Sequence, residues 1–200
     1  MTREKASFVV AQARDRITQQ PHSRMAPGPL AGLEIISTPR PGLRRWVLNT
    51  LSLGGGREIY AELHHDGTVV LAVNLSWHAR SRQDASEVTT PGILVHQDYL
   101  GACCRDLCTL TSELARQLRL DSGLLLYAAV TADTSKTVPL IPVVVDPFGF
   151  TDIPDYARHP HTIQPVTATL LPVDSDQALK DSAQELFTDL MNQFGLDPQL

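Results

Sequence analysis

Two alternating runs around Asp66-Gly67 limit the fold of this chain more than any other stretch. Glu58–Leu63 and Val69–Leu75 carry Ile, Ala, Leu and Val at every second position, with a turn-forming Asp-Gly between them. Side chains alternate faces along a strand, so the runs bury one shared face when they pair as an antiparallel hairpin. Two registers compete. A two-residue turn at Asp66-Gly67 pairs Leu63 with Val70 and Ile59 with Asn74, which puts Asn74 on the apolar face. A three-residue loop, His65-Asp66-Gly67, pairs His64 with Thr68 and sets Ile59, Ala61 and Leu63 against Val73, Leu71 and Val69. A slip of one residue exchanges the two faces, so the apolar pattern selects the second register. Gly67 then takes the left-handed position of a bulged turn, where glycine meets no steric penalty.

Helical periods frame this hairpin. Residues 3–20 have helical propensity, with a thin stripe of Phe8, Val10, Ala11, Ala13 and Ile17, and Pro21 ends them. Pro21, Pro27, Gly28, Pro29 and Gly32 then mark a linker, so the first helix reads as a separable arm that packs on a partner. Gln97–Leu120 is the strongest helix. Leu100, Cys103, Cys104, Leu107, Cys108, Thr111, Leu114, Ala115 and Leu118 recur at helical spacing, with Gly123 as the expected stop. At 1.5 Å per residue it spans about 36 Å, enough to cross a small sheet. A last helix runs from about Asp174 to Phe194, with Asp174 and Gln177 at capping-box spacing and Gly195 and Pro198 after it.

Further strands are expected at Leu33–Thr38, Leu43–Leu53, Leu124–Thr131, Val138–Val145 and Ile163–Leu171. Leu124–Thr131 and Val138–Val145 are continuous apolar runs and read as buried. Pro139 and Pro142 lack a ladder donor, so their strand belongs at an edge or carries a bend. Arg80–Gly92 and Asp146–His161 read as loops. The fold class is α+β: a mainly antiparallel sheet packed by a long central helix and a C-terminal helix, with an N-terminal helical arm. Residues 1–32 form the helix and Pro/Gly-rich linker, and 33–200 one α+β domain.

Charge and composition exclude some functions. Residues 1–50 hold eight Lys/Arg against three Asp/Glu, a balance of +5; the remaining 150 hold nine against nineteen, a balance of −10. The larger part should repel phosphate backbones, which leaves Arg14, Arg16, Arg24, Arg40, Arg44 and Arg45 as the residues to meet nucleic acid. No run of about 18 apolar residues suggests a membrane span, and no apolar leader follows Met1. The three cysteines lie within Cys103–Cys108, a poor disulfide framework, and a reducing cytoplasm fits them.

Each chemical motif meets a structural explanation. The spacing Cys103-Cys104…Cys108 is neither a CxxC pair nor a zinc knuckle, and all three fall on the apolar stripe of a helix. His64 and His65 are adjacent in extended chain and point to opposite faces. His159 and His161 share a face and are the better metal pair, with Asp152 and Asp155 near in sequence, but no second ligand cluster accompanies them. Gly54-Gly55-Gly56 lacks the Lys-Ser/Thr of a phosphate loop. Ser76 beside Trp77 and His78 sits in no nucleophile elbow. Phe148 and Phe150, with the His159–His161 loop, are the residues to close over a small ligand. No catalytic residue, cofactor or metal is assigned.

The stretch Ile59-Tyr-Ala-Glu-Leu-His-His-Asp-Gly-Thr-Val-Val-Leu-Ala-Val-Asn-Leu-Ser76, with the long helix after it, resembles a region of actinobacterial Schlafen/AlbA-like proteins described as ATP-binding or regulatory. The resemblance covers about residues 57–170 and implies the C-terminal accessory region of such a protein. The family's nucleotide- and nucleic-acid-handling residues would lie in the AlbA-like domain, which this chain lacks, so no functional residue carries over. The expected function is a non-enzymatic regulatory or protein-interaction domain that binds a protein partner or self-associates. The alternatives are a small-molecule or nucleotide-binding domain, such as a hydrolase, and nucleic-acid binding through the basic N-terminal quarter.

Overall fold

A computed structural model of the chain describes residues 1–19, 27–33, 38–50, 59–75, 92–132, 138–145, 151–171 and 175–198. The hairpin has the register its apolar pattern selects. Strands β3 (Ile59–His64) and β4 (Val69–Val73) pair antiparallel with Ile59 opposite Val73, Ala61 opposite Leu71 and Leu63 opposite Val69. His64 N–H donates to Thr68 O at 2.9 Å, and Gly67 has φ +97°. Thr68 N–H also donates to Asp66 Oδ1 at 2.9 Å, which explains an Asp at this turn.

Two more strands extend this sheet. β1 (Arg40–Gly42) and β2 (Arg45–Asn49) give the order β1-β2-β3-β4, all antiparallel. The strand expected over 43–53 begins only at Arg45, and its last three positions, 51–53, lie outside the described residues. Leu43-Arg44 is a turn, Arg44 adopts φ 55°, and the proline-bearing segment expected to break the chain is itself a short edge strand. Helix α1 (Arg3–Gln19) and the four-residue α2 (Pro29–Gly32) cover this sheet together with α3 (Gln97–Leu118). Ala6, Val9, Val10 and Ala13 are buried against Leu110 and Leu114 of α3, and Phe8 is 55% exposed. The apolar face of α1 therefore lies on this chain's own core, contrary to the separable arm, and the stripe is built on Ala6, Val9, Val10 and Ala13 rather than on Phe8. Small residues let the two helices approach closely. Leu30, inside the expected linker, and Leu33, expected to start a strand but placed at the end of this helical turn, are buried in the same cluster.

A second group of elements lies along the other side of α3. β5 (Ile93–His96) runs straight into α3 and pairs parallel with β7 (Leu140–Val145), which also meets the short β8 (Thr151–Asp152). β6 (Leu124–Ala128) pairs antiparallel with β9 (Val166–Leu170), and α4 (Asp176–Asn192) packs on β9 and α3. Phe187, Phe194, Leu186, Leu190, Leu170 and Leu140 form the centre of this core with Cys104 and Cys108. β7 accommodates Pro142 because its partner β8 reaches only Val144 and Val145. Leu140 N–H turns away from β5 to Pro160 O at 2.8 Å, and the Pro142 nitrogen, two residues on, faces the same way, beyond the end of β8.

Helix ends differ in detail from the sequence reading. Arg119, not Gly123, adopts the left-handed cap of α3 with φ 57°, and Leu120 N–H returns to Ala115 O at 2.9 Å. β6 begins at Leu124, so the chain must reverse before Gly123 is reached. Ser175 caps α4 by accepting from Ala178 N–H at 3.2 Å; Asp174 is outside the described residues. Most of the expected strand 33–38 lies outside them too, as do Gly54–Gly56, Ser76, Trp77, His78, Phe148, Phe150, Arg24 and nearly all of the 80–92 loop. The fold is α+β as expected, and no helix among the described residues is long and apolar enough to cross a membrane.

Candidate functional site

β4 and β6 are outer strands of different sheets, and a cleft of about 570 Å³ lies between them. Asp66–Leu71 form one wall, Leu124–Tyr127 the other, and Leu107 and Thr111 of α3 the floor. A smaller space of about 190 Å³ continues it past Leu75, Cys103, Ala128 and Val130; Leu71, Leu107, Tyr127 and Ala129 border both.

The β4 wall presents backbone groups. Thr50 N–H donates to Ile59 O, so the odd-numbered residues of β3 turn their peptide groups toward β2. The even-numbered ones then face β4, as the bond from His64 N–H to Thr68 O agrees. In β4 the even-numbered residues complete that ladder. Val69, Leu71 and Val73 point their N–H and C=O groups away from β3 and into the cleft, while their side chains pack toward the core.

The β6 wall and the floor add two further features. The apolar run at β6 was expected to be buried, but Leu125 is 77% and Tyr127 61% exposed, because the core packs against only the face that carries Leu124, Leu126 and Ala128. On the floor, Thr111 is 6% exposed and its Oγ1 is buried with no hydrogen-bond partner among the described residues. A helical Thr commonly bonds the carbonyl four residues back, as Thr109 does with Arg105 O at 2.9 Å. Burying a hydroxyl without a partner costs about 1–3 kcal/mol.

A polar cluster occupies the outer face of the β1–β4 sheet. Glu62 accepts the Tyr60 O–H, lies 2.7 Å from His64 Nε2 through Oε2, and is 3.0 Å from Arg45 Nε through Oε1. The Tyr60 hydrogen bond holds the Glu62 carboxyl below its usual range against the opposing effect of burial, and raises the Tyr60 hydroxyl. Three groups already engage this carboxylate, so it serves as the centre of a locked network rather than as a free base.

The residues singled out by sequence do not come together. His64 belongs to the Glu62 cluster, while His65 is exposed at the turn and its N–H donates to Arg44 O at 3.0 Å. His159 and His161 are exposed, as are Asp152 and Asp155. No group of three or more His, Cys, Asp or Glu converges as a metal-binding set among the described residues. Cys104 and Cys108 are buried, and burial pushes the Cys108 thiol up to about 12. Cys103, by contrast, is half-buried and borders the cleft, and burial raises its thiol well above the usual range. The arginines are dispersed. Arg16 bonds Glu113 at 3.0 Å and Asp176 at 2.8 Å, tying α1 to α3 and α4, and Arg45 pairs with Glu62.

Sequence reasoning missed the cleft. Its one local signal is a pair of apolar strands, VVLAV and LLLYA, that contain no Lys, Glu or Pro. No family model, curated protein or solved structure matches this chain.

Proposed function

We propose that this chain is a non-enzymatic protein-interaction domain whose binding surface is the cleft between β4 and β6. The observation that carries the reading is a pair of strand edges that face each other over an apolar floor and have no strand partner among the described residues. Open edges are commonly blunted with charge, proline, bulges or a covering segment, because bare backbone groups recruit other chains. β4 and β6 hold no charged residue or proline, and Leu125 and Tyr127 stand exposed beside the gap. The kinship with the accessory region of Schlafen/AlbA-like regulators belongs to this same proposal and rests on residues 57–170.

A displayed library of random peptides, selected on the folded protein, tests the reading. The selected peptides should lose binding to Tyr127→Lys and Leu125→Lys, which alter exposed side chains. They should bind Phe8→Lys, a substitution on exposed α1 surface, as they bind the wild type. Binding that ignores the two β6 substitutions, or an empty selection, refutes it. A second reading draws on the cleft volume, which lies within the range of about 300–1,000 Å³ common for small-molecule sites. Thermal shift against nucleotides and divalent cations separates the two: stabilisation by a nucleotide that Tyr127→Lys abolishes favours the second.

A further inference from the structure

We infer that the cleft receives a single extended peptide, which runs antiparallel to both β4 and β6 and joins them into one sheet. The inference rests on the protein-interaction reading and assigns its occupant.

Strand direction comes first. Asp66, Gly67, Leu120 and Leu124 border the same end of the cleft, and a Cβ at Gly67 would lie 2.7 Å from Leu120 Cδ1. Val73, Leu75, Ala128 and Val130 border the other end. β4 and β6 therefore advance the same way across the gap. One strand running opposite to them forms antiparallel ladders on both sides, the more favourable pairing per residue. Its insertion gives the continuous order β1-β2-β3-β4-guest-β6-β9. On the β4 side the guest meets the outward N–H and C=O groups of Val69, Leu71 and Val73.

The occupant needs both of its edges free to serve both walls. A strand already paired in the sheet of a second copy has one free edge at most and serves one wall. β1 is too short, with three residues that include Pro41. An extended segment of another chain meets the requirement.

The lining then specifies the guest's chemistry. Its inward side chains meet Leu71, Leu107, Leu124 and Leu126, and its outward ones lie between Val70 on β4 and Leu125 and Tyr127 on β6. Both faces are therefore apolar or β-branched, and covering Leu125 and Tyr127 accounts for their exposure. One inward position passes Thr111, whose buried hydroxyl has no partner among the described residues, and a Ser, Thr or Asn there supplies it. Asp66 is the sole charged residue among the described lining residues. It stands at the start of β4, so an antiparallel guest brings its C-terminal end there, and a Lys or Arg at that end complements it.

The probe is a fluorescein-labelled peptide of about ten residues, alternating Val and Thr and ending in Arg, a length suited to both walls. Two further forms carry backbone N-methyl groups on only the odd or only the even residues. Each removes the donors along one edge and leaves the side chains in place. Anisotropy titration should show at least a tenfold loss of affinity for both methylated forms. Moving Arg to the N-terminus should weaken binding to the wild type and leave binding to Asp66→Asn unchanged. Loss in only one methylated form means pairing with one wall, and loss in neither means binding without strand addition. Either result overturns this inference while the cleft reading stands. No binding of the unmodified probe also overturns it, and the peptides selected against Tyr127→Lys then decide the broader reading separately.

Discussion

Asp106 should make the stability of this protein fall as pH rises from about 4 to about 7, against the direction set by most carboxylates. Its side chain is in the middle of α3 and 1% exposed. Oδ2 accepts the Leu30 N–H at 2.9 Å, and Oδ1 accepts from Arg105 Nη2 at 3.1 Å. Burial outweighs both bonds and raises its pKa from 3.8 to about 6. Between those values the folded state holds the proton more tightly than the unfolded chain, so stability declines through the window and levels off above it. The full gap corresponds to about 3 kcal/mol. At about pH 4 the unfolded chain is already partly ionised, so about 2 kcal/mol of it falls between pH 4 and pH 7. Asp106→Asn keeps the shape and an oxygen for Leu30 N–H, and it does not titrate. Urea unfolding of both proteins across this range should show the stability of the variant relative to wild type rising by about 2 kcal/mol. Groups common to both, such as Glu62 with its lowered pKa, cancel in that difference. Parallel profiles would refute the argument, because the folded protein would then hold no extra proton on Asp106.

Gly28→Ala should destabilise by about 1–3 kcal/mol in the same urea assay, because its Cβ would lie 2.2 Å from Asp106 Oδ2 and push the carboxylate off Leu30. An unchanged midpoint would mean that α2 moves without cost. Thr111→Val should stabilise the unliganded protein by about 1 kcal/mol, since it deletes a buried hydroxyl with no partner, and should weaken the Val/Thr probe. A loss of stability would place an ordered partner on that hydroxyl. Arg119→Gly should stabilise by up to about 1 kcal/mol, since φ 57° strains any residue with a Cβ, and thermal unfolding reads the shift.

What was legible in the sequence depends on how local its cause is. The β3–β4 register could be read because one slip moves Asn74 onto an apolar face, a contrast contained in seventeen residues. The C-terminal helix was placed to within two residues at each end for a similar reason: Leu179, Leu186, Phe187 and Leu190 keep one periodic face, and Gly195, at φ 76°, follows its last turn. The cleft had no such local cause. Each wall alone reads as an ordinary apolar strand, and only the placement of β4 and β6 along α3 leaves their edges without a strand partner among the described residues. Thr111 looked like one more member of a stripe, since the loss of its hydrogen bond is a property of the packed state.

The long helix shows the same limit from within one element. Its expected stripe, with Leu100, Cys104, Leu107, Thr111 and Leu114 at its centre, does face strands, but at 100° per residue the other side carries Ala102, Asp106, Thr109 and Glu113, and these are buried too. Helical periodicity marks only the apolar stripe and gives no sign that this polar side is buried. It is buried because its polar groups are met one by one: Asp106 by the Leu30 N–H, Thr109 by Arg105 O, and Glu113 by Arg16 and Arg116. α1 and α2 provide two of those partners, Arg16 and Leu30, so the segment that sequence alone set apart as an arm satisfies the polar side of the central helix. With α1, α2 and strands of both cores packed against it, α3 is held along most of its length. That leaves Leu107 and Thr111 in place as a fixed floor, and the proposed strand site needs such a floor, because a guest can pair with β4 and β6 together only if the gap between them keeps its width.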